Sequence, residues 1–281
     1  MNEDPSLPTW TKPVALIVGL VALWTWESMS PFFERQQGRW RHAGRNLFVA
    51  LLNTVAIALL FGAATIGVAM WAESHRIGWL HRWEWPPVAK LIVAVLLLDG
   101  WLYLWHRANH AIPFLWRFHR MHHADREMDV TTALRFHLGE LTLSAVMRLG
   151  LIVLLGLTPG QMLVHETLVV VATQFHHANI SVGGCDRWLR LCVVTPFLHK
   201  VHHSREPLET NSNYATVFSW WDRLGGTFRL RDNFASMEYG LDEFTAPRWE
   251  SMVGMLSMPL ADPSNANDPV PLTPVPPTPD P

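Results

Sequence analysis

Leu47 to Ala72 is 26 residues long and carries no charge. A helix rises about 1.5 Å per residue, so roughly 20 apolar residues cross the hydrocarbon of a bilayer. The run therefore predicts a membrane-spanning helix, and the rest of the chain has to fold around that constraint. Pro13 to Trp26 is a shorter apolar run; extended to Phe33 it makes a first span with Glu27 as its weak point. Pro86 to Trp105 has the right length and contains Lys90 and Asp99. Leu141 to Val171 is interrupted by Thr158-Pro159-Gly160, which predicts a helical hairpin whose arms cross or dip deep, with Arg148 inside the first arm. The chain has 15 tryptophans, several of them at the edges of these runs: Trp24, Trp26, Trp71, Trp83, Trp85, Trp101 and Trp105. Amphipathic rings favour the headgroup layer, so this placement supports the same reading. The expectation is an all-α integral membrane protein with about four to five transmembrane or membrane-embedded helices.

Arginine placement sets an orientation. Arg35, Arg39, Arg41 and Arg45 follow the first run, and Arg107, Arg117, Arg120, Arg126 and Arg135 follow the third. The connection between them holds Arg76 and Arg82, offset by Glu73 and Glu84. The positive-inside rule puts the first and third connections in the cytoplasm and the amino terminus on the other side. Met1 to Lys12 lacks the basic start of a signal peptide, so the first run is expected to stay as an anchor. A net charge of −2 leaves no basic stripe for nucleic acid. Cys185 and Cys192 have no CxxC spacing and cannot hold an iron–sulfur cluster alone; both are expected to be reduced thiols. From Ala261 the chain is Pro-rich and reads as disordered. The expected division is 1–45 as amino-terminal segment and first membrane helix, 46–260 as the membrane domain, and 261–281 as the tail.

Histidines carry the chemistry. His106-x3-His110, His119-x2-His122-His123 and His199-x2-His202-His203 put eight imidazoles at helical spacing. Positions i, i+3 and i+4 share a helix face, so each cluster can turn two or three nitrogens toward one point. Three converging faces would hold one metal or a pair, and a nitrogen-rich cage suits iron, zinc or copper rather than calcium or magnesium. A surface His-rich tract is the bland alternative. It fits poorly, because the clusters are far apart in sequence, repeat one spacing and adjoin apolar segments. His42, His75 and His81 have no partner at such spacing and read as structural or surface residues. Asp99, Tyr103, His106 and His110 form one stripe. An ionised Asp facing lipid is costly, so Asp99 should face the interior and orient a metal-bound imidazole, with a plain interhelical hydrogen bond as the alternative. His177, after the hairpin, would meet the clusters. His176 and His177 diverge by about 100° on a helix, so one of them points away.

In this order and spacing the motifs resemble those of the fatty acid hydroxylase/sterol desaturase superfamily. They run from Asp99-x3-Tyr103-x2-His106 through Arg135-x-His137-x2-Glu140 and His177-Ala-Asn179 to Asn213-Tyr214 and Trp221-Asp222-Arg223-Leu224-x2-Thr227. The resemblance implies a membrane bundle with a cytoplasmic helical cap and a di-iron centre that uses O2 on a C–H bond of a lipid. It implies metal ligands at His106, His110, His119, His122, His123, His177, His199, His202 and His203. It also implies site roles for Asp99, Tyr103, His137, Asn179 and Asp222. The chain departs from the family pattern at Ala215, Gly225, Leu138 and His176.

The expectation is thus a lipid hydroxylase or desaturase of a bacterial inner membrane or endoplasmic-reticulum-type membrane. It would carry two irons, with zinc as a replacement, and no bound organic cofactor. No flavin or nucleotide fingerprint is present, so electrons would come from a separate reductase, ferredoxin or small haem protein. A histidine-rich membrane metal transporter is one alternative, and it would want its ionisable groups along a path through the bundle. A zinc-dependent hydrolase is the other; it would need an open coordination position and a base such as Glu140, and nine imidazoles exceed that need.

Overall fold

Apolar runs without breakers become long helices here, and prolines and glycines mark where they stop. The computed structural model describes residues 7–34 and 38–265, and these are helical with no strand among them. Arg35, the first six residues and the Pro-rich tail from 266 lie outside the described residues. The main helices are α1 (Thr11–Met29), α2 (Arg39–Ile57), α3 (Ala63–Ser74), α4 (Pro87–Ala111), α5 (Pro113–His123), α6 (Leu138–Leu155) and α7 (Pro159–His177). Short helices follow: α8 (Asp186–Leu189), α9 (Pro196–His202), α10 (Pro207–Thr210), α11 (Trp220–Leu224) and α12 (Met252–Ser257). Proline opens α4, α5, α7 and α9, where its missing N–H would have no intrahelical partner.

A single π-turn, Ala58–Gly62, joins α2 to α3, so the uncharged run lies within one stretch of 44 residues, Arg39–Arg82. This stretch, Pro87–Ala111 and Leu138–Leu155 are long and apolar enough to cross a membrane. Their outer faces expose Leu51, Leu59, Leu60, Val88, Ile92 and Leu154, as lipid contact requires. The expected boundary at 45/46 falls inside α2. Trp79, Trp83 and Trp85 pack on one another in the connection between α3 and α4, at the end of the bundle where an interfacial belt belongs.

The hairpin turn is built from Gly156 and Thr158. Gly156 ends α6 at φ 74°, and Thr158 caps α7 reciprocally with Gln161. The two arms do not lie side by side, however. α6 packs on α2 and α3, whereas α7 packs on α1 and α4. Each arm finds its apolar partner elsewhere, and an Arg148–Glu166 ion pair links them.

Glu27, the expected weak point of the first run, is an anchor instead. It is buried, pairs with Arg39, and accepts from the backbone N–H groups of Val130 and Asn179. His42 is structural, as expected, but it is not partnerless. It is buried, its Nε2 lies 2.8 Å from Asp125, its Nδ1 lies 3.3 Å from Asp129, and Asn46 one turn on bonds the same ring. The pair clamps α2 to the segment between α5 and α6. On the far side of α5, Met121, Phe244, Trp249, Met255 and Met258 seat the carboxy-terminal segment.

Candidate metal centre

All nine expected ligands come from helix carboxy-terminal ends. His106 and His110 end α4; His119, His122 and His123 end α5; His177 is the last residue of α7; and His199 and His202, with His203 one residue on, end α9. Unsatisfied carbonyls make a helix carboxy terminus the negative end of its dipole. Four such ends meeting at one place favour cations there.

Among the described residues the imidazoles form two groups, His106, His110, His119, His123 and His202 in one and His122, His177, His199 and His203 in the other. Within each group one ring nitrogen per residue lies within 4.8 Å of all the others. The two HxxHH boxes cross over. The box on α5 sends His119 and His123 to the first group and His122 to the second, while the box on α9 sends His199 and His203 to the second and His202 to the first. Neighbours on a helix diverge by about 100°, so an HH pair must serve two points. The expectation that a box converges on one point gives way to this division. Stacked rings of His123 and His203, 4.5 Å apart, form the shared wall.

Tautomers follow from the hydrogen bonds. His106, His122, His177 and His202 donate from Nδ1 to the carbonyls of Tyr214, Arg135, Thr173 and Ser212 at 2.7–3.2 Å. Carbonyls only accept, so Nε2 keeps its lone pair for a metal. Nε2 atoms of His106 and His119 face each other at 3.1 Å, and His177 meets His122 at 3.1 Å and His199 at 3.0 Å. Both nitrogens of His110, His123 and His203, and Nε2 of His202, are buried without a partner. Lone pairs so arranged repel one another unless a cation sits between them, so the residues fit a pair of metal ions. Burial, reinforced by neighbouring imidazoles, pushes His122, His123, His199, His202 and His203 well below their ordinary pKa and keeps them neutral.

The carboxylate on an imidazole is Glu140, whose Oε1 accepts from Nδ1 of His119 at 2.9 Å and from Asn109. Sequence reasoning gave that task to Asp99. Asp99 is buried, but its oxygens accept from the backbone of Val217 and Phe218 and from the Trp221 indole, and from no imidazole. It holds the 217–221 segment against α4, the interhelical alternative. Glu140 was missed as an orienting group. Its signal was a lone acid in the first turn of an apolar helix, three residues after His137 in the Arg135-x-His137-x2-Glu140 motif.

The other expected site residues stand outside the cage. His137 caps α6: its Nδ1 accepts from Gly139 N–H and its Nε2 donates to Leu256 O, so neither nitrogen is free. Asn179 is bonded to the backbone of Phe33. Asp222 accepts from the N–H groups of Tyr214 and Ala215 and thereby shapes the loop whose Tyr214 carbonyl orients His106. The Tyr103 hydroxyl bonds Thr227. A Cβ on Gly225 would fall 1.9 Å from that hydroxyl, which explains why no aromatic stands there. His176 belongs to neither group; its ring packs 3.9 Å from that of His199. Lys200, between two ligands, is buried and donates to the carbonyls of Ala178 and Ile180, tying α9 to the end of α7. Phe136 stacks on His122 at 4.5 Å. Cys185 and Cys192 are free and exposed.

The Fatty acid hydroxylase family profile matches residues 91–227. The ornithine lipid hydroxylase OlsE of Rhizobium tropici is 28% identical over 243 residues, covering 83% of this chain and 71% of that protein. An alkylglycerol monooxygenase of Danio rerio is 29% identical over 165 residues, 57% of this chain and 34% of that one. A cholesterol 25-hydroxylase of Rattus norvegicus is 28% identical over 176 residues, 57% and 53% of the two chains. The chain thus spans about a third and about half the length of the last two. No solved structure matches.

Proposed function

We propose that this chain, whose residues 91–227 match the Fatty acid hydroxylase family profile, is a member of that family and hydroxylates a C–H bond of a membrane lipid, using O2 and a pair of irons held by the nine imidazoles. The observation that carries the reading is the division of nine imidazoles, seven of them fully buried and His106 and His110 half-buried, into a group of five and a group of four. Relatives named for ornithine lipid, alkylglycerol and cholesterol oxygenation support a lipid as substrate.

The irons, when bound, supply the activation of O2 needed to attack an unactivated C–H bond. The chain's own residues do the rest. Neutral imidazoles leave the metal charge uncompensated and the site electrophilic. Glu140 and the carbonyls of Tyr214, Arg135, Thr173 and Ser212 hold the rings in one tautomer, as orienting partners of metal-bound histidines do. Burial of the cage excludes water. One oxygen atom enters the C–H bond and the other leaves as water, so each turnover takes two electrons and two protons. A separate reductase, ferredoxin or small haem protein delivers the electrons. The cage faces the cytoplasm, and α1 and α7 lie in the membrane beside the three apolar helices. Zinc replaces iron during overexpression, because affinity alone does not protect an N-ligand site.

Lipid mass spectrometry of membranes from cells with and without the chain tests this reading, together with metal analysis of anaerobically purified protein. The expected result is a gain of one oxygen in a lipid and two irons per chain. Loss of two hydrogens would make the reaction a desaturation, and active protein without iron would end the di-iron reading.

A further inference from the structure

One cluster of ionisable groups stands inside the bundle, away from the metal centre. Arg148 on α6 and Lys12 at the start of α1 both pair with Glu166 on α7. Two cations share one carboxylate, so a positive charge is left over. The three side chains keep 41%, 40% and 24% of their surface. Together they line two hollows. One is a cavity of ≈ 170 Å³ between α4, α6 and α7, walled by Leu98, Leu102, Leu151 and Val169. The other is a groove of ≈ 470 Å³ between α2–α3 and α6, running past the π-turn to Phe136. His165 lines the cavity as well; it is 6% exposed, and its Nε2 has no partner.

Hydrocarbon satisfies neither a surplus cation nor an orphan ring nitrogen, and both are costly at membrane depth. A group with negative charge and oxygen lone pairs satisfies both. At its other end the groove reaches Phe136, whose ring stacks on the ligand His122. Arg148 is eight residues from Glu140 and Glu166 is eleven from His177. Helix rise then puts the cluster roughly 12–16 Å from the cage. Lys12 is at the end of α1 away from the cage, next to the exposed Trp10, so a headgroup can enter from that side.

Resting on the reading of the substrate as a lipid, we propose that Lys12, Arg148 and His165 bind the anionic oxygen group of that lipid, a carboxylate or a phosphate. Its hydrocarbon lies in the groove, so the carbon brought to the cage is remote from the headgroup. Glu166 holds the two cations in place and competes with the ligand for them.

The test is equilibrium binding of three radiolabelled probes, oleate, oleoyl lysophosphatidate and oleyl alcohol, to the full chain with its metals in lipid nanodiscs. At least one anion should bind about tenfold tighter than the alcohol, and the preferred anion separates a free fatty acid from a phosphate lipid. Arg148→Gln and Lys12→Gln should each weaken anion binding about tenfold and leave alcohol binding unchanged. Glu166→Gln should strengthen anion binding. Equal binding of the alcohol overturns the proposal. So does weakening by Glu166→Gln to the extent of Arg148→Gln, which is what a purely structural ion pair would give. If Arg148→Gln fails to fold, judged by metal content, His165→Ala and Lys12→Gln decide, and unchanged anion affinity in both overturns the site. The readout is binding, so a wild-type chain that holds the anion yet forms no oxygenated lipid defeats the reaction and leaves this site standing.

Discussion

Glu140 and His42 look unremarkable in the sequence, yet each sits where a single substitution should be felt. Glu140→Gln keeps the shape but removes the charge that accepts from His119. Metal affinity or activity should fall about 10–100-fold, read by metal titration and product formation. Asp99→Asn, by contrast, should act on the 217–221 segment and leave metal affinity near normal. His42→Ala removes the closest cation from Asp125 and Asp129, leaving Asp125 with Arg135 at 3.9 Å. Leaving a buried charge uncompensated costs about 3–5 kcal/mol, so the chain should unfold well before wild type in detergent, while His75→Ala, at an exposed position, should not. Burial alone would raise the Asp125 carboxyl, but His42 and Arg135 outweigh it and hold it well below the usual carboxylate range. A depressed carboxylate contributes stability that is complete above its unfolded pKa of about 4 and is lost as pH falls. The stability gap between wild type and Asp125→Asn should therefore be full at neutral pH and close progressively in acid.

At the scale of elements, the crossed boxes make a sharper claim than either box alone. His123→Ala removes a ligand of the five-member group and His122→Ala one of the four-member group, although the two residues are adjacent. Each should lower bound metal toward one ion per chain, with membrane insertion intact because spanning helices satisfy their own backbone. Paramagnetic spectra of the two variants should differ, since a different ion remains in each. Identical spectra would contradict the division. Gly156 sets how α6 ends. At φ 74°, with Ile77 O 2.5 Å from an added Cβ, Gly156→Ala should cost about 1–2 kcal/mol for the left-handed conformation alone, seen as a lower thermal midpoint with metal content unchanged.

For the whole molecule the decisive quantity is sidedness. α1 and α7 run in the same direction, with Lys12 beside Glu166 at one end and Glu27 bonded to Asn179 at the other. The cage, Cys185 and Cys192 therefore share an end of the bundle, opposite the start of α1. A membrane-impermeant maleimide should label the native cysteines only in inside-out vesicles, and a Trp10→Cys variant with Cys185 and Cys192 replaced by Ser only in right-side-out ones. Labelling from the same side would defeat the proposed topology.

What the sequence determined by itself is what short-range physics controls. An uncharged run of 26 residues has to be a helix in lipid, and the i, i+3, i+4 spacing has to gather imidazoles on a helix face. Eight of the nine ligand candidates were legible on those grounds; His177 was legible from its place after the hairpin and from the family resemblance, and the break near Thr158 from its Thr-Pro-Gly. The tertiary structure decided which imidazole joins which group, because that depends on how α4, α5, α7 and α9 abut. It gave the orienting carboxylate to Glu140 and turned Asp99 to a backbone loop, since the Asp99 stripe set only the helix face and the neighbours chose its partners. It took His137 for a helix cap and Glu27 for an anchor. It also splayed the hairpin, because each arm is apolar on a face that only α1–α4 could cover. Spacing along the chain fixes direction around a helix; partners across the bundle are set by packing, which no local pattern encodes.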